Sequence, residues 1–280
     1  MAGLSTKAIK SKIKSMESTR QITKAMELVA ASKLRSAQNK AIGVRPYFSA
    51  LYETMSEIAG SVPSFESPFL RARPGGRPLA VVIAGDRGLA GGYNSNILKL
   101  ALSQLEGTDA VILPIGKRAV EFFRHRGMEL LTERYAEASE MTIGKCYSVA
   151  RILADGFVSG KYDRISLLYT NFVSVLSQTP AALELLPLKM TAEKHHVREI
   201  YYESGSGNVF NAIVPEYLGG LLYAALCESQ ASEQAARRTA MDAATKNADE
   251  MIDDLNLRFN RARQGAITQE ITEIVAGAEA

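Results

Sequence analysis

From about residue 208 to residue 276 the chain holds a single proline, Pro215, near the start of the stretch. Within it Met241, Thr245, Ala248, Ile252, Leu255, Phe259, Ala262 and Ala266 recur in alternating steps of four and three. That spacing keeps a seam on one side of an α-helix and marks a coiled coil. At 1.5 Å per residue such a helix is roughly 100 Å long, far longer than a compact domain of this size requires. It therefore predicts either a partner helix along its length or entry into another protein.

The other end of the chain supplies a candidate partner. No proline precedes Pro46, and Ile9, Ile13 and Met16 make one four-three step while Ile22, Met26 and Val29 make another. The two steps differ in phase by one residue, a slip that a coiled coil absorbs by local unwinding. The run ITKAMELVAASKLRSAQNKA is rich in strong helix formers. Gly43 and Pro46 predict a kink or break, with FSALYETMSEIAG resuming as helix. Residues 1–58 carry ten Lys and Arg against four Glu, and residues 209–280 carry six against eleven acidic side chains. Ends of opposite sign suit an antiparallel pair, although each exposed ion pair contributes little.

Between the ends the pattern changes. The segment SVPSFESPFLRARPGGRP contains four of the nine prolines and reads as a loop. Short apolar runs then alternate with helical stretches. Strands are expected at residues 79–84, 110–115, 128–132, 164–170 and 181–188, and helices at 94–105, 117–126 and 142–159. This alternation predicts an α/β fold with a mostly parallel, Rossmann-like sheet covered by helices. Three domains follow: an N-terminal helix over residues 1–58, a globular α/β domain over 59–208, and a C-terminal helix over 209–280.

Little here looks like a reaction centre. The loop GDRGLAGGYN follows a strand and opens a helix, where phosphate-binding loops sit. Its glycines match neither the GxxxxGK[ST] loop nor the GxGxxG dinucleotide pattern, and four glycines more often mean a tight turn with close helix-sheet contact. His195 and His196 are adjacent and lack a Cys/His partner set for a metal. His125 lies in a basic helix, and Asp253 and Asp254 read as a solvated face. Lys7, Lys10, Lys12 and Lys14 lack the aromatic or recognition motifs of a nucleic-acid patch. Cys146 and Cys227 stand apart without CxxC spacing, as buried small hydrophobes do. No signal peptide and no spanning run are read; LGGLLYAALC falls well short of one.

KIKSMESTRQITKAMELVAASKL, IAGDRGLAGGYN, SEQAARRTAMDAATKNA and NRARQGAITQEITEIV, in that order along the chain, closely resemble the gamma-subunit family of F-type ATP synthases. The resemblance implies a non-catalytic central shaft inside a hexamer of alternating alpha and beta subunits, one copy per complex. It implies contact with the epsilon subunit and the c-subunit ring, whose proton-driven or sodium-driven rotation the shaft passes to the catalytic beta subunits. No cofactor, metal or nucleic acid is implied, and membrane association comes through the complex only. A bacterial chain at the cytoplasmic face of the plasma membrane is expected, since an Arg-rich transit peptide is missing.

By motif match, Gln264, Thr268, Glu270, Arg237, Arg238 and Met26 fall where the family's shaft meets beta subunits. Tyr202 and Glu203 fall where it touches the c ring. Ile267, Ile271, Ile274 and Val275 supply an apolar bearing face at the shaft tip. The insertion and regulatory cysteine pair of chloroplast members have no counterpart, so thiol switching of that kind is not expected. A coiled-coil adaptor that does not rotate and a nucleotide-binding enzyme using residues 85–92 are the alternatives.

Overall fold

The computed structural model describes residues 6–61, 66–71, 75–189 and 205–278. The fold is α/β, with a four-stranded sheet in the middle of the sequence and a long helix at each end. The N-terminal helix α1 spans Thr6–Ser61 and the C-terminal helix α5 spans Ser206–Ala278. By contacts the chain forms two compact units. One comprises residues 32–236; the other comprises residues 1–31 with residues 237–280.

In the first unit β1 (Arg77–Ile83) lies between β2 (Val111–Ile115) and β3 (Tyr162–Phe172), parallel to both. A hairpin adds β4 (Gln178–Leu186) antiparallel to β3 as the edge strand. Alternate residues of a strand face opposite sides, so β1 serves two cores. Leu79, Val81 and Ile83 pack with α4 (Ile143–Val158), the near end of α5, and Met55 and Ile58 of α1. Ala80 and Val82 pack with α2 (Tyr93–Leu105) and α3 (Lys117–His125). Thr142 caps α4 by accepting from the Lys145 amide, at 3.3 Å. The chain passes from β1 to β2 on one side and returns across β1 to β3. The carboxyl end of β1 is therefore a topological switch point, the usual ligand crevice of open α/β sheets.

Two expectations need correction here. The strand at residues 128–132 reduces to one parallel bridge between Ile112 and Leu130. Ile112 donates to the Glu129 carbonyl and accepts from the Leu131 amide, and the ladder goes no further. Nor does α1 break at Pro46, which sits inside a continuous helix. A proline removes one helical hydrogen bond and costs about 3 kcal/mol. The turns that follow recover it by burying Met55 and Ile58 completely, each such side chain being worth about 1.5–3 kcal/mol.

α5 includes a window long and apolar enough to cross a membrane by length and composition, half of it buried within the fold. Phe210, Val214, Leu218, Leu222 and Leu226 of that stretch belong to the sheet core. No unbroken apolar run reaches that length, and the window qualifies on its mean hydropathy.

The second unit is an antiparallel helix pair. Thr23 and Thr245 bring their hydroxyls to 2.7 Å, and one turn away Arg20 reaches Asp249 at 3.2 Å. On α5 the seam is as predicted from Met241 to Ala262: Met241, Ala248 and Ile252 are buried and Thr245, Leu255, Phe259 and Ala262 half-buried, whereas Ala266 is exposed. On α1 the seam differs from the expectation. Met26 is half-buried as expected, and Ile9, Ile13, Met16, Thr23, Glu27 and Ala30 are protected positions that keep one phase throughout. Ile22 and Val29 are 60% and 55% exposed. No phase slip occurs; the small and polar residues next to Ile22 and Val29 fill the seam.

Candidate partner-binding surfaces

The glycine loop after β1 is tied to the chain itself. The Gly85 amide donates to Asn94 Oδ1 at 2.8 Å, and Asn94 Nδ2 donates to the Arg87 carbonyl at 3.1 Å. Asp86 Oδ1 accepts from the amides of Ala138 and Lys117, and Oδ2 accepts from that of Ser139. The amino end of α3, a place suited to phosphate, is thus met by an internal carboxylate. Burial raises the Asp86 carboxyl, but the Ser139, Ala138 and Lys117 amides outweigh it and hold the group below its ordinary range.

α5 crosses the same edge of the sheet. Ser229 Oγ accepts from the Thr170 amide at 3.1 Å, Ser232 Oγ donates to the Thr170 carbonyl, and Gln230 Nε2 donates to the Ala138 carbonyl. A Cβ on Gly85 would lie 3.0 Å from the Glu233 carboxyl. A side chain at position 85 would press on the ends of Glu233 and Asn94, and the switch-point crevice is filled by the protein's own helix. The sequence had no means of placing Glu233 there, since nearly 150 residues separate it from Gly85.

Among the described residues no group of three His, Cys, Asp or Glu side chains is arranged to hold a metal. His195 and His196 lie outside the described residues, as do Tyr202 and Glu203. Cys146 and Cys227 are both buried and unpaired by disulfide. Burial pushes the Cys146 thiol up to about 12, with Cys227 adding to the effect, which suppresses the reactive thiolate.

What the helix pair offers is surface. Past Ala262 every residue of α5 from 263 to 278 is exposed. Ile267, Ile271, Ile274 and Val275 are 47–71% exposed, and Ala266, Ala276 and Gly277 flank them. Their spacing of three and four aligns them on one stripe of the helix. Gln264, Thr268 and Glu270 are exposed on the same segment. The Thr268 hydroxyl donates to the Gln264 carbonyl at 3.0 Å, which leaves its lone pairs outward. Gln269 bonds Glu273 at 2.9 Å. Exposed apolar stripes of this kind commonly mark interaction surfaces.

Met26, Arg237 and Arg238 lie within the same unit. Met26 and Arg237 are half-buried and Arg238 is exposed. They stand among charges that bind one another: Lys24 holds Glu27 and Lys246 holds Asp242, each at 2.8 Å. The Lys246 hydrogen bond lowers the Asp242 carboxyl below its usual range, with Lys24 and Arg238 contributing. The sequence motif alone did not reveal this charge cluster, although the i,i+4 spacing of Asp242 and Lys246 was its signal.

One unit is an α/β sheet domain and the other an antiparallel pair of long helices, and among the described residues the candidate sites are helix surfaces. The comparisons with known proteins supply the family. A family model described as ATP synthase matches residues 5–280. The ATP synthase gamma chain of Ruminococcus albus is 45% identical over 276 residues, covering 96% of each chain. The ATP synthase gamma chain, sodium ion specific, of Acetobacterium woodii is 40% identical over 293 residues, covering 97% of each. A chain in the Euglena gracilis mitochondrial ATP synthase structure of OSCP, F1 and c-ring shares the fold, with TM-score 0.67, 19% identity and coverage of 98% and 93%. The chain belongs to the gamma chain family of ATP synthases, and is a non-catalytic subunit.

Proposed function

We infer that the chain is the central rotary shaft of an F-type ATP synthase, turned by ion flow through a c-subunit ring and driving conformational cycling in the catalytic beta subunits. The observation that carries this reading is the exposed, apolar-striped segment from residue 263 to residue 278, which continues beyond the described part of its helix partner. An alpha/beta hexamer would enclose that segment. There Ile267, Ile271, Ile274 and Val275 act as a bearing, while Gln264, Thr268 and Glu270 contact beta loops. Met26, Arg237 and Arg238 meet a lower segment of beta, and Tyr202 and Glu203 meet the c ring. The epsilon subunit binds beside the globular part. The complex places the chain peripherally at the cytoplasmic face of a bacterial plasma membrane.

The physics of the role is simple. One asymmetric shaft touches three identical beta subunits differently at any instant. A ligand shifts a conformational equilibrium only through its differential interaction with the two states. The shaft acts as such a ligand, and its rotation exchanges which beta subunit feels which face. No nucleotide chemistry is asked of the chain itself.

The test is purification of the assembled complex with quantitation of its subunits. One copy of this chain per three alpha and three beta subunits supports the shaft reading. Three copies, or failure to bind a hexamer, would favour a non-rotating adaptor.

A further inference from the structure

We propose that the Thr23–Thr245 hydroxyl pair is a directional rung that holds the two shaft helices in a fixed mutual orientation. Most of the seam around it cannot do this. Ala30, Ala248, Ile252 and Met241 resist separation of the helices, but hydrophobic contact is non-directional. Small side chains such as Ala30 and Ala248 offer little that would resist one helix rolling or sliding on the other.

The hydroxyls behave differently. Each has a carbonyl on its own helix within reach: Arg20 at 3.0 Å from Thr23, and Met241 at 2.8 Å from Thr245. With the 2.7 Å contact between them there are three short contacts and only two protons. If both protons pointed to their own carbonyls, two lone pairs would face each other at that distance. One hydroxyl must therefore turn across the seam while the other stays on its own helix. Either assignment gives one cross-helix hydrogen bond, so the rung persists while its protons exchange places. Thr23 is only 9% exposed, which shields the bond from competing water.

The neighbouring ion pair does not set the alignment alone. Arg20 and Asp249 are 45% and 51% exposed, and such pairs are weak. Moreover Asp242 lies one heptad before Asp249, so a displaced helix would offer Arg20 another carboxylate. The same displacement would set Thr23 against Arg238, and the opposite one would set it against Ile252. Only the observed alignment pairs hydroxyl with hydroxyl. A polar layer among apolar seam residues is known to specify alignment in coiled coils.

The experiment uses the full chain with nitroxide labels at the exposed positions Gln21 and Asn247, which share a level of the helix pair. Pulsed electron resonance reads the distribution of distances between them. Thr23→Val with Thr245→Val keeps volume and branching while removing both hydroxyls, so the chain should fold. The proposal expects a broader or shifted distribution in this variant. Thr23→Ser with Thr245→Ser keeps the hydroxyls and should retain the narrow wild-type distribution. A narrow distribution in the valine variant, or broadening in the serine variant alone, would assign the site to packing and overturn the rung.

The consequence for coupling rests on the shaft reading. In the assembled complex the valine variant should show a softer shaft, read as wider angular fluctuation of a bead carried on it. Unchanged fluctuation alongside a broadened label distribution would leave the rung in place but remove its mechanical role. Failure of the chain to rotate at all would strike the shaft reading and not the rung.

Discussion

The Asp86 carboxylate accepts a hydrogen bond from the Ala138 amide at 2.8 Å, fastening the glycine loop to the segment that precedes α4. With the Ser139 and Lys117 amides on the same group, one side chain satisfies three donors. Asp86→Ala would strand them, at about 1–3 kcal/mol for a half-exposed site. Because the folded carboxyl is held below its ordinary range, its stabilisation is fully present above the unfolded value, about 3.9. It is lost as pH falls through the lower folded value. Thermal unfolding of wild type and Asp86→Ala should therefore diverge at neutral pH and converge on acidification.

Gly156 of α4 stands over the ring of Tyr162, where an added Cβ would come within 2.5 Å of ring carbon Cε2. Tyr162 is 2% exposed and has no room to withdraw. Gly156→Ala should destabilise the chain by about 1–3 kcal/mol, as overpacking does. Denaturant unfolding measures this as a lower midpoint with an unchanged slope.

Gly265 has the opposite prospect. Nothing lies within 4 Å of a Cβ placed there, and the residue sits in the interior of α5. Gly265→Ala should stabilise this exposed part of the helix by up to about 1 kcal/mol. Hydrogen exchange of the amides from residue 263 to residue 278 should slow accordingly.

The two thiols should be silent. With Cys146 pushed up to about 12 by burial and Cys227 also raised by burial, a thiol alkylator at pH 8 should label neither in the native chain. Both should react after unfolding in denaturant. Mass spectrometry of the intact protein counts the labels.

Glu270→Ala changes an exposed residue of α5 and should alter stability by no more than about 0.5 kcal/mol, as ordinary surface substitutions do. In the assembled complex it should nevertheless slow ATP turnover severalfold. Wild-type turnover would remove Glu270 from the contact surface.

How much of this was legible in advance depended on the distance over which residues act. The α5 seam from Met241 to Ala262 and the strands around Leu79, Val111 and Ile165 were readable because local periodicity decides them. The α1 seam departs from the expectation at Ile22 and Val29, which dominate any count of apolar residues, whereas the helix pair buries Thr23 and Ala30. Gly43 and Pro46 predict a kink or break by local rules, but burial of Met55 and Ile58 carries α1 through Pro46 without a break. The candidate surfaces came from motif resemblance, not from periodicity. The clamp on Asp86 and the passage of Glu233 beside Gly85 are long-range facts that only folding reveals.

The central claim is that this chain turns inside a hexamer. The direct measurement fixes the alpha/beta hexamer to a surface, attaches a bead to the globular part of this chain, and supplies ATP. The account predicts rotation in one direction with three equal steps per turn. ATP turnover at full rate with a stationary bead would contradict it.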